Sequence, residues 1–240
     1  MNILWDFDGT LFDTYPAYTT IFKEILDHEI DDEVIFSKLK ISFTHAARHF
    51  NLSESQIKEI FRLEEHLQPE QTPPFTDVEA ILQRANRNVI MTHKNRSEVN
   101  KLIEYYGWTH YFVDIVAGDD GFPKKPDPAS YVYLHHRNRM DLIIGDREID
   151  ILPGKAMGPF ACWYWEEFDS YRIYFLTRVK RFIEMPDGFE TTGYVITNVE
   201  TAIDMIKQIE GREERIAASR RAGELSRQVI PPTSQTPLGK

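Results

Sequence analysis

Between Asn88 and Trp165, short apolar runs that finish on polar residues alternate with amphipathic stretches of period three to four. Asn88–Thr92, Asp114–Gly118, Asp141–Asp146 and Pro159–Trp165 read as strands. Asp77–Ala85, Ser97–Tyr106 and Ala129–His136 read as helices, the second closed by Gly107 and the third begun by Asp127 as N-cap with Pro128 in the first turn. The opening run Asn2-Ile3-Leu4-Trp5-Asp6-Phe7-Asp8 is another buried strand, ending on two acids and the breaker Gly9. Such alternation predicts a parallel sheet with helices on both faces, an α/β, Rossmann-like three-layer core.

A helical block interrupts this pattern after the first strand. Tyr15, Tyr18, Phe22, Ile25 and Leu26 recur at helical spacing, and Val34, Ile35 and Leu39 suggest a second helix. Thr44–Phe50 suggests a third. Ser53 with Gln56 forms a capping box ahead of Ile57, Ile60, Phe61 and Leu67, and Thr72-Pro73-Pro74 stops that fourth helix. The expected organisation is a core of residues 1–13 and 75–210, a helical insertion of residues 14–74, and a basic, disordered tail of residues 211–240. Glu166–Gly193 stays ambiguous: Ile173, Leu176, Val179 and Ile183 would line a helix, yet Tyr174-Phe175-Leu176 is strand-like. After Asp150 the next helix is expected to start late, with Pro153 in its first turn.

Composition removes several classes of function. With 28 Lys+Arg against 38 Asp+Glu, the net charge of −10 opposes nucleic-acid binding, which depends on cationic contacts to phosphate. The tail holds six basic and three acidic residues, so the remaining body is more acidic still, at −13. No apolar run approaches the ~20 residues that cross a bilayer. A single cysteine, Cys162, and the lack of a basic, apolar leader point to the cytoplasm.

The polar residues at the strand ends carry the chemistry. Asp6 and Asp8, two apart, would share a face of a strand, and crowded carboxylates are costly without a cation. Mg²⁺, a hard ion with oxygen ligands, would remove that cost, although an isolated pair would favour a solvated acidic turn. Asp146 ends another strand, with Asp150 four residues on; Thr92 ends a third, and Lys125 precedes the Asp127 helix. Strand carboxyl ends collect at one edge of an open sheet, where such folds bind ligands. Carboxylates, a hydroxyl and a lysine gathered there suit phosphoryl transfer.

Four ordered motifs give this pattern a family likeness: Asp6-Phe7-Asp8-Gly9-Thr10-Leu11, Thr92 within Met91-Thr92-His93-Lys94, Lys125-Pro126-Asp127-Pro128, and Gly145-Asp146-Arg147-Glu148-Ile149-Asp150. Over Met1–Trp165 the chain resembles the haloacid dehalogenase superfamily, in the branch of phosphoglycolate phosphatase and β-phosphoglucomutase. The resemblance implies that Asp6 is a nucleophile forming an aspartyl-phosphate and Asp8 a general acid and base. It implies that Thr92 and Lys125 hold the phosphoryl group. Mg²⁺ would be bound by Asp6, the backbone carbonyl of Asp8 and Asp146, with Asp150 nearby. Residues 14–74 then correspond to a helical cap over a small phosphorylated metabolite, and Tyr194–Ile209 to the last strand and helix.

Other positions are less specific. His93 could touch a leaving group or cap a loop carbonyl; His45, Arg48 and His49 could read an anionic substrate or be a solvated helix face. Where mutase-like caps carry a glycine and a phosphate-binding arginine, Lys40-Ile41-Ser42-Phe43 presents Ile41 and Phe43, which weakens a sugar phosphomutase alternative. A non-enzymatic aspartyl-phosphate switch is a second alternative, disfavoured by the late position of Asp146. The expected activity is Mg²⁺-dependent hydrolysis of a phosphate monoester; oligomeric state is not legible.

Overall fold

A computed structural model describes residues 2–26, 30–76, 78–157, 160–167, 170–176 and 195–196. All of them fall within one compact unit, Met1–Val199. The tail, and the expected helix up to Ile209, lie outside the described residues.

The core alternates as the apolar runs require. Strand β1 (Asn2–Trp5) is followed, beyond the insertion, by α5 (Val78–Arg84), β2 (Arg87–Met91), α6 (Arg96–Tyr105), β3 (Phe112–Val116), α7 (Ala129–Asn138), β4 (Leu142–Gly145), α8 (Glu148–Met157) and β5 (Phe160–Glu167). Strands β6 (Ser170–Leu176) and β7 (Val195–Ile196) complete a seven-stranded sheet of order β3-β2-β1-β4-β5-β6-β7. Strands β1 to β5 pair in parallel, whereas β5–β6 and β6–β7 pair antiparallel. The sheet is therefore mixed rather than wholly parallel, and Tyr174-Phe175-Leu176 belongs to a strand.

Both faces of the central strands are buried, as expected for crossover-linked strands. Leu4, Val89, Met91 and Ile143 pack with Tyr131 and Leu134 of α7 and Ile151 of α8. Ile3, Trp5 and Ile90, alternating with them, are also buried, and the Trp5 indole donates to Asn88 Oδ1 at 2.9 Å.

The insertion folds around its own apolar cluster. Helices α1 (Tyr15–Ile25), α2 (Asp32–Ile41), α3 (Phe43–His49) and α4 (Glu54–His66) enclose Tyr15, Ile21, Phe22, Leu26, Ile35, Leu39, Ala46 and Ile60. Side chains stop their frayed ends: Ser42 accepts the His45 N–H, and the capping box of Ser53 and Gln56 is formed. The chain leaves and rejoins the core side by side. Phe12 bridges Pro74, the Asp13 N–H donates to Pro73 O at 2.8 Å, and the Phe75 N–H donates to Leu11 O at 3.1 Å.

Two local expectations change. Helix α8 begins at Glu148, not late, and carries Pro153 in its interior. The carboxylate of Asp150, the third residue of α8, takes the N–H of Arg147 just before the helix at 3.0 Å, so a side chain caps its start. Strand β1 stops at Trp5, before either acid. Asp6 and Asp8 consequently do not behave as strand neighbours on one face.

Candidate active site

Beyond β1 the backbone curls tightly. The Asp6 N–H still reaches Ile144 O at 2.9 Å, after which Phe7 O accepts from the N–H groups of Leu11 and Phe12. Gly9 makes this turn with φ of +73°; a Cβ there would lie 2.2 Å from the Tyr15 ring and 2.7 Å from Asp146 Oδ2. Only glycine meets both conditions. Gly145 serves likewise, since a Cβ on it would strike Asp150 Cβ at 2.3 Å.

The turn delivers Asp6 into a buried ionic centre. Lys125, in the loop between β3 and α7, donates to Asp6 Oδ1 at 2.5 Å and to Asp150 Oδ1 at 2.7 Å. All three side chains are essentially closed to solvent. Arg147 stands alongside, 3.5 Å from Asp150, 3.7 Å from Asp146 and 4.0 Å from Asp6. Burial, reinforced by the charge of Asp150, pushes the Asp6 carboxyl up to about 7. Burial would raise Asp150 too, but Lys125 and Arg147 hold it below the usual carboxylate range. Buried carboxylates this close share their charge unequally.

Asp6, Asp146 and Asp150 each bring a carboxylate oxygen within 4.8 Å of the others. An anionic, all-oxygen donor set of this kind fits a hard divalent cation such as Mg²⁺. The Asp8 carboxylate stands outside that trio. Tyr18, from α1, donates to Asp8 Oδ1 at 2.9 Å, and Lys94 donates to the Tyr18 hydroxyl at 2.6 Å while lying 3.8 Å from Asp8. The two acids of the first motif thus sit in different surroundings, Asp6 among cations in the core and Asp8 against the helical insertion.

The remaining expected residues divide. Thr92 is buried directly after β2, and its Oγ accepts the Lys94 N–H at 3.1 Å. His93 faces the lysine loop: its Nε2 accepts the Lys125 N–H at 2.8 Å and so pins that loop. Burial, with Lys125 and Arg147 nearby, pushes this imidazole down to about 4 and keeps it neutral. Arg48, His45 and His49 are exposed on α3, and among the described residues none forms an ion pair or hydrogen bond with the acidic cluster.

Two groups reach the acids from the insertion, one from the apolar stripe of α1 and one from the end of α2. Tyr15 donates to Asp146 Oδ2 at 2.9 Å, and Lys40 donates to the same oxygen at 2.8 Å. Thr10, inside the first motif, places its hydroxyl 3.5 Å from both Asp6 and Asp146. The sequence held one usable signal: Tyr15 and Tyr18 occupy the first turn of a helix that starts within ten residues of Asp6.

Known proteins show where this arrangement belongs. The haloacid dehalogenase-like hydrolase family matches residues 3–163. A phosphoglycolate phosphatase of Vibrio cholerae is 32% identical over 76 residues, covering 30% of this chain and 34% of that enzyme. The match thus spans about a third of that relative's length. A phosphoglycolate phosphatase of Aliivibrio fischeri is 26% identical over 68% of this chain and 83% of its own. Among solved structures, a hydrolase from Streptococcus pneumoniae superposes with a TM-score of 0.52 at 28% identity, covering 67% of this chain and 90% of that one. With its acids after β1 and β4, its lysine before α7 and its helical insertion after the first strand, this chain belongs to the haloacid dehalogenase-like hydrolase family.

Proposed function

We propose that this hydrolase is a Mg²⁺-dependent phosphatase that cleaves a small phosphate monoester through an aspartyl-phosphate on Asp6. The observation that carries the reading is the division of labour between the two acids of the first motif. Asp6 is buried against Lys125, while Asp8 is held apart by Tyr18 at the edge facing the cap.

In this reading an Asp6 oxygen attacks phosphorus, and the bond between phosphorus and the ester oxygen breaks. Asp8 gives its proton to the departing alkoxide, then takes one from the water that hydrolyses the acyl phosphate. Lys125 and the Thr92 hydroxyl hold the phosphoryl oxygens, and His93 keeps the Lys125 loop in place. Asp6, Asp146 and the carbonyl of Asp8 would hold Mg²⁺, with Asp150 close by; the ion would neutralise phosphate charge. The helices of residues 14–74 act as a cap that excludes water.

The relatives named phosphoglycolate phosphatase favour a compact phosphorylated carboxylate as substrate. No helix among the described residues is long and apolar enough to cross a membrane. That fits a cytoplasmic enzyme acting on a metabolite.

The test is phosphate release from 2-phosphoglycolate and p-nitrophenyl phosphate, with Mg²⁺ and with EDTA. Asp6→Asn is expected to lower turnover by at least about a thousandfold. Turnover close to wild type in that variant would overturn the mechanism, and turnover unaffected by EDTA would overturn the metal requirement.

A further inference from the structure

Lys40 carries a charge that the proposed reaction does not use. Its ammonium lies 2.8 Å from Asp146 Oδ2, with its side chain 14% exposed and that of Asp146 closed to solvent. The ammonium also stands 4.7 Å from the centre of the Tyr15 ring and 5.8 Å from that of Phe36. Aromatic faces and a carboxylate therefore surround it, which favours a cation and holds it in one place. The oxygen it grips is already engaged by the Tyr15 hydroxyl at 2.9 Å.

A divalent ion coordinated through Asp146 would approach the same carboxylate. At that separation, in a site largely shut off from water, two cations repel strongly. We propose that Lys40 and the divalent cation are alternative counter-ions of Asp146, so that the grip of α2 on the core and the loading of metal oppose each other. This rests on the reading of Asp146 as a metal ligand. By reciprocity, whatever metal binding does to the Lys40 contact, that contact does to metal affinity. Arrival of the metal releases the ammonium of Lys40 from Asp146.

Calorimetric titration of the full-length protein with MgCl₂ tests the affinity, comparing wild type with Lys40→Met and Lys40→Arg. The Met variant is expected to bind Mg²⁺ about fivefold tighter or more, and the Arg variant to stay near wild type. A second readout needs no variant at Lys40. Acetylation of its amine by an N-hydroxysuccinimide ester, quantified by peptide mass spectrometry, is expected to rise severalfold when MgCl₂ is added to wild type and to stay unchanged in Asp146→Asn. A folded Lys40→Met protein with unchanged or weaker Mg²⁺ binding overturns the inference, as does acetylation insensitive to Mg²⁺ in wild type. If wild type binds no Mg²⁺, the metal reading of the site falls and the inference falls with it. If wild type binds Mg²⁺ and Lys40→Met binds it equally, the inference alone fails.

Discussion

At the core edge, Asp6 and Asp146 follow strand ends and Asp150 sits in the first turn of α8, all three gathered around Lys125 and Arg147 in a setting closed to water. From the helical insertion, Tyr15, Tyr18 and Lys40 approach Asp146 and Asp8 from the surfaces of helices. The core contacts are ionic, between groups set just after strand ends, in the first turn of α8 and on the Lys125 loop. The insertion contributes single hydrogen bonds from the Tyr15 and Tyr18 hydroxyls, whose rings pack in an apolar cluster of their own, and one ion pair from Lys40. Removing a core group should strand buried charge, whereas removing a cap group should loosen a carboxylate that stays partnered.

That contrast can be broken experimentally, beginning where the effect is largest. Lys125→Met leaves Asp6 and Asp150 without their shared counter-ion. We expect a destabilisation of about 3–5 kcal/mol, read by denaturant unfolding, and a fall in kcat of about a hundredfold or more. A variant as stable as wild type would mean that Arg147 suffices and that Lys125 is not the keystone of the centre. Tyr18→Phe removes one hydrogen bond to the Asp8 carboxylate, so kcat should drop about tenfold while KM stays within about twofold. A larger effect on KM than on kcat would shift Tyr18 from positioning Asp8 to holding substrate. The smallest effect belongs to Arg48→Ala, whose side chain is exposed on α3: kcat/KM should change by less than about twofold. A tenfold loss there would show that α3 reads the substrate after all.

The core half of this comparison was readable in the sequence because its residues are tied to chain punctuation. Asp6, Thr92 and Asp146 each follow an apolar run that reads as a buried strand, and Lys125 precedes a marked helix start. Parallel topology then brings them to one edge without further information. Nothing comparable marks the cap residues. Tyr15 and Tyr18 obey the apolar period of α1, so the pattern accounts for their rings and says nothing of their hydroxyls. Lys40 follows Lys38 in a charged helix end, where a solvated lysine is the ordinary outcome. His93 was legible as a loop residue but not as an acceptor, since its partner, the Lys125 amide, is 32 residues away in sequence. Pro153 misled for another reason: proline favours first turns, yet the Asp150 side chain had already fixed where α8 begins.

The paired crossing at Phe12 and Pro74 has a consequence for how such a protein can be rebuilt. Because the outgoing and returning backbone are hydrogen-bonded neighbours, the gap left by deleting α1–α4 is short enough for a tight turn to span. The insertion therefore joins the core at one paired crossing, where a segment of different shape can be attached without altering the strand order. What such a replacement would discard is the pair of tyrosines, so the new segment must bring its own hydroxyls for Asp8 and Asp146.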